Sequence, residues 1–88
     1  VSPDVIKIDV EGAEYNVLKG ANEIIKKYSP VIFLSVHPRQ LALFGASVEK
    51  LQEIISQSGY RIRGNDGAEV NHVEFGEYVL VPYGRSDI

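Results

Sequence analysis

Apolar residues along this chain alternate between two kinds of spacing. Val5-Ile6-Lys7-Ile8-Asp9-Val10 is rich in β-branched residues and breaks at Gly12, which predicts a strand over residues 5–10. From Ala13 the period lengthens. Ala13, Val17, Leu18, Ala21, Ile24, Ile25 and Tyr28 recur at three and four, the stripe of one continuous helix. Glu14 in its first turn and Lys26 and Lys27 in its last match the helix dipole. Ser29-Pro30 stops it. Val31-Ile32-Phe33-Leu34-Ser35-Val36 is nearly continuous in apolar residues, as expected of a strand covered on both faces, and His37-Pro38 ends it.

Residues 39–46 read as a loop with a short turn at Leu41-Ala42-Leu43-Phe44. Ser47 is a good N-cap, Val48, Leu51, Ile54 and Ile55 give a second amphipathic helix, and Gly59 stands where a left-handed C-cap is wanted. Tyr60-Arg61-Ile62-Arg63 alternates as a third strand. Asn65-Asp66-Gly67 is a turn, residues 68–76 carry no assignable pattern, and Tyr78-Val79-Leu80-Val81 is a last strand. No helical pattern separates these two strands, so they are expected to run antiparallel. Right-handed crossovers make the first three strands parallel. The fold class is therefore α/β, half of an open sheet in the order strand, helix, strand, helix, strand, strand. The outer edge of its first strand is exposed, and residues before Val1 are its natural cover.

Eighty-eight residues allow one small domain and no second core. The chain has no cysteine, which excludes disulfides, thiolate metal sites and a cysteine nucleophile. No apolar run reaches the ~20 residues of a membrane span, and the N-terminus lacks the order of a signal peptide, so a cytoplasmic location is expected. A net charge of −3, without a cluster of Lys and Arg, argues against a nucleic-acid partner.

Ligands of open α/β sheets sit beyond the carboxyl ends of strands. Here those ends are Asp9-Val10-Glu11-Gly12 and Ser35-Val36-His37-Pro38. In a strand, side chains i, i+2 and i+4 share a face, so Lys7, Asp9 and Glu11 line up on one side, and Glu14 can point back to the same mouth. One carboxylate there can serve as general base while another orients substrate, and His37 is a proton acceptor from the neighbouring strand. Each residue also has a plain structural reading. Lys7 and Asp9 can form an ion pair, Glu11 and Glu14 can be acids favoured at a helix N-terminus, and His37 can be bonded to backbone.

The run Ile6-Lys7-Ile8-Asp9-Val10-Glu11-Gly12-Ala13-Glu14, then Val17-Leu18-Lys19-Gly20-Ala21, and later Pro30-Val31-Ile32 and His37-Pro38, resembles the FkbM family of S-adenosylmethionine-dependent methyltransferases. The resemblance covers most of residues 4–60. It implies the C-terminal half of a Rossmann-like methyltransferase sheet, with the last strand inserted antiparallel between the second and third strands seen here. It also implies that Asp9 and Glu11 lie at the methyl-transfer site with His37 beside them, and on that reading Asp9 or His37 is the candidate catalytic base while Glu11 and Glu14 bind substrate. Two differences stand out. The family usually carries an acid where this chain has Ser35, and no Gly-x-Gly pattern of a cofactor loop occurs in the 88 residues. The nucleoside-binding residues are thus expected in a missing N-terminal half of the domain, and the chain alone is expected to bind S-adenosylmethionine weakly or not at all.

Three functions follow as expectations. The first is transfer of a methyl to a hydroxyl oxygen of a small-molecule, glycan, lipid or polyketide acceptor. The second is a non-catalytic α/β interaction or assembly module that uses its exposed first strand to pair with a partner; whichever function holds, the isolated chain is expected to self-associate through that edge as a homodimer. The third is a small metal-dependent hydrolase built on Asp9, Glu11 and His37, the weakest because no metal-binding signature is present.

Overall fold

The computed structural model describes residues 5–83. Nine elements follow one another: β1 (Val5–Ile8), α1 (Glu14–Gly20), α2 (Asn22–Tyr28), β2 (Val31–Val36), α3 (Pro38–Leu43), α4 (Val48–Gln57), β3 (Tyr60–Arg63), β4 (Glu69–Val70) and β5 (Gly76–Pro82). The five strands form one open mixed sheet in the order β1-β2-β5-β3-β4. β1 runs parallel to β2, while β5 is antiparallel to both β2 and β3. The last strand is reversed, as the residues predicted, and lies between β2 and β3, where the family resemblance put it.

One face of the sheet carries the core. Ile8, Ile32, Leu34, Ile62 and Leu80 are buried with Leu18, Ile25, Leu51 and Ile55 of the helices. Each such side chain contributes roughly 1.5–3 kcal/mol on leaving water. The helices face the sheet in the register that the three-and-four spacing predicted, and α1 packs against α4. Ser47 caps α4 by accepting a hydrogen bond from the Lys50 amide at 3.1 Å, and Gly59, at φ +81°, leaves that helix in the left-handed region. The Tyr60 hydroxyl donates to the Pro30 carbonyl, tying the start of β3 to the start of β2.

Four expectations need correction. The first strand ends at Ile8, not Val10, because Glu11 and Gly12 take φ values of +44° and +109° and turn the chain before it reaches α1. The single helix over residues 13–28 is two. Ala21, at φ −91° and ψ 7°, falls off helical geometry after Gly20, a weak helix former, yet bonds from Ala21 N to Val17 O and from Ile25 N to Ala21 O keep the apolar stripe in register. The supposed loop after His37 contains α3, which Pro38 starts at a first-turn position and Leu41 anchors by complete burial. Finally, β2 is not covered on both faces along its length. Phe33, between Lys7 and Val79 on the second face, stays 45% exposed.

Candidate functional site

The parallel pairing of β1 with β2, Ile8 opposite Leu34, brings the two carboxyl ends together. Just past β1 the chain makes its tight turn. Gly12 is required there twice over. Its positive φ is costly for any residue with a Cβ, and a Cβ at this position would lie 2.5 Å from Gln40 Cβ and 2.6 Å from the Gln40 backbone. The turn thus packs directly on α3, the helix that starts one residue after His37.

Glu14 closes this arrangement from inside. It opens α1 and is fully buried, and both its carboxylate oxygens are used. Oε2 accepts from the Gly12 amide at 2.6 Å, and Oε1 accepts from the His37 amide at 3.1 Å. One side chain therefore clamps the β1–α1 turn to the end of β2. Buried backbone donors must find partners, and this carboxylate supplies them at two places where the sheet ladder has ended.

The His37 imidazole lies between two carboxylates. Nδ1 is 3.5 Å from Glu14 Oε1 and Nε2 is 3.8 Å from Asp9 Oδ1. Both separations exceed ordinary N–H···O hydrogen bonds, and Nδ1 is buried without a hydrogen-bond partner among the described residues. The Asp9 side chain is half exposed, at 51%, whereas His37 is mostly enclosed, at 16%. A proton on this ring is thus flanked by two acids, one buried and one facing solvent.

The sequence-predicted residues consequently separate. Asp9, Glu14 and His37 come together. Glu11, in the left-handed turn, is exposed and makes no hydrogen bond among the described residues. The shared face proposed for Lys7, Asp9 and Glu11 does not form, because the strand has ended before Asp9, and Lys7 and Asp9 make no ion pair with each other. Ser35 meets a carboxylate from across the sheet, its hydroxyl donating to Glu77 Oε1 at 3.5 Å. Among the described residues no group of three His, Asp or Glu is placed to hold a metal ion.

The family model for the methyltransferase FkbM domain matches residues 1–62 of the 88, a span that contains the β1–α1 turn, Asp9, Glu14 and His37. The chain belongs to the FkbM methyltransferase domain family. Comparison with curated proteins and with solved structures gives no match. No helix among the described residues of this FkbM domain is long and apolar enough to cross a membrane.

One residue at the site was not foreseen. Phe75 immediately precedes β5, and its ring meets the His37 ring edge-on, centroids 5.8 Å apart and planes at 85°. The register explains the meeting, since β5 is antiparallel and Gly76 stands opposite Val36. The available signal was the antiparallel last strand itself. Extended back from Tyr78 to Gly76, it places its preceding residue beside the one that follows Val36.

Proposed function

We propose that this FkbM domain carries the methyl-transfer site of an S-adenosylmethionine-dependent O-methyltransferase, on the C-terminal half of a Rossmann-like sheet. The observation that supports it is the His37 imidazole held between Asp9 and Glu14 at two adjacent parallel strand ends, inside the family-matched residues. Methyl transfer to a hydroxyl needs alignment and removal of one proton. His37 Nε2 takes that proton. The imidazolium so formed sits between the Asp9 and Glu14 carboxylates, which stabilise its charge. Asp9, the more exposed acid, steadies the ring and faces the acceptor. Glu14, with both oxygens on backbone amides, positions His37 and holds the turn, and Glu11 on the rim contacts the acceptor.

S-adenosylmethionine, when bound, supplies an electrophilic methyl on a sulfonium cation. The acidic rim of Asp9 and Glu11 suits that positive charge. The nucleoside end finds no glycine-rich loop in these 88 residues, so we assign its recognition to residues outside them. Transfer of labelled methyl from S-adenosylmethionine, measured in the complete protein, tests the reading. Asp9→Asn and His37→Ala should each lower turnover by roughly 10²–10⁴-fold if proton removal depends on them. Turnover near that of the parent protein in both variants overturns it.

A further inference from the structure

We infer that Phe75 is an acceptor-binding residue, the apolar wall of the His37 site, which selects acceptors bearing their hydroxyl on a flat apolar ring over open-chain polyols. The inference rests on the proposed role of His37 and adds the substrate class. Phe75 lies outside the family-matched residues 1–62.

Phe75 is 75% exposed, yet the loop that displays it is held firmly. Val73 is fully buried, with its amide donating to Gln52 Oε1 at 2.8 Å. Gln52 Nε2 donates to the Asn71 carbonyl, and the Glu74 amide donates to the Tyr78 hydroxyl at 3.0 Å. Those bonds fix the backbone before Phe75, and the pairing of Gly76 with Val36 fixes it after, while the large aromatic side chain remains in water. The ring meets the imidazole edge-on, an arrangement that leaves apolar surface open to a ligand. A ring acceptor stacked on that surface buries apolar area and brings its own hydroxyl toward the imidazole beside it. A polyol has no comparable surface to bury there.

The chain contains no tryptophan, so Phe75→Trp introduces a reporter at the wall, read as the difference from the parent protein. In the complete protein, phenol should quench or shift that emission in a saturable way, and sorbitol at equal concentration should not. The response should persist in Phe75→Trp/His37→Ala, because stacking does not need the base. In methyl transfer to a phenolic acceptor, Phe75→Ala should raise KM by roughly tenfold or more with kcat within about twofold, the pattern of lost binding. Equal responses to phenol and sorbitol, no response to either, or an unchanged KM in Phe75→Ala overturns the inference. Saturable phenol binding by the Phe75→Trp variant, without any methyl transfer from S-adenosylmethionine in the parent protein, overturns the proposed reaction instead and leaves the wall standing.

Discussion

Replacing Glu14 with glutamine is the sharpest test of how the site is held. The change keeps size and one acceptor oxygen but replaces the other oxygen with an NH₂ group. Whichever way the amide turns, a donor then faces a donor, either the Gly12 amide now bonded at 2.6 Å or the His37 amide bonded at 3.1 Å. A hydrogen bond to a charged group is worth about 1.5–3 kcal/mol, and an orphaned buried donor costs ~1–3 kcal/mol, two views of largely the same loss. Burying a neutral amide in place of a carboxylate returns part of it. The expected net cost is therefore about 2 kcal/mol for Glu14→Gln and about 3–5 kcal/mol for Glu14→Ala, which strands both amides and leaves a cavity. An 88-residue domain has on the order of 4–13 kcal/mol in total, so glutamine should weaken the fold and alanine should threaten it. Urea denaturation followed by far-ultraviolet circular dichroism reads the difference, with the midpoint of Glu14→Gln lowered at unchanged slope and Tm down by roughly 8–16 °C. A Glu14→Gln protein within about 0.5 kcal/mol of the parent would refute the two-amide clamp.

The glycines give a paired test. Gly12→Ala should cost roughly 2–5 kcal/mol, from positive φ and overlap with Gln40, whereas Gly20→Ala, with nothing within 4 Å, should stabilise by about 0.5–1 kcal/mol; thermal melts of both variants check the contrast. Glu11→Gly relieves a left-handed residue by about 1 kcal/mol and adds a similar unfolded-state entropy, so stability by denaturant titration should stay within ~0.5 kcal/mol. Any large loss of methyl transfer in that variant then belongs to the carboxylate. Ser47→Ala should cost about 1 kcal/mol by removing the cap on the Lys50 amide, which a shift in the urea midpoint detects.

The four longer strands and α4 were legible because each carries its own local signal, whereas the two-residue β4 falls in the polar stretch that carries none. β2 is an apolar run between Pro30 and His37, and α4 has a cap, a stripe and a terminal glycine. The end of β1 was not, because Asp9 and Val10 continue the alternation past the point where Glu11 leaves β geometry, and a non-glycine residue at positive φ has no sequence signature. α3 escaped notice because its exposed Leu43 and Phe44 blur the periodicity around the one residue that matters, Leu41. At the site, the nearness of Asp9 and His37 followed from strand order alone. The burial of Glu14 did not, since an acid in a first helical turn is ordinarily solvated and only the approach of β2 encloses this one. Phe75 depended on a strand start two residues earlier than the apolar pattern shows.

Glu14 also joins stability to chemistry in a way that bears on how activity losses are read. Its bond to β2 runs to the His37 main chain, not to the ring, so it fixes where the residue begins while leaving Nδ1 3.5 Å away. Removing the imidazole with His37→Ala keeps the backbone amide and its bond, and should change stability far less than Glu14→Gln does. Loss of activity in His37→Ala with the fold intact therefore isolates the ring's chemistry. Loss in Glu14→Gln mixes the chemistry with a displaced strand end. Only a cycle of both single variants and the double variant separates the two. If Glu14 acts through the main chain alone, its stability cost is the same with and without the imidazole. A coupling energy well above about 0.5 kcal/mol would instead mean that the carboxylate engages the ring directly, as the flanking of an imidazolium by two acids requires.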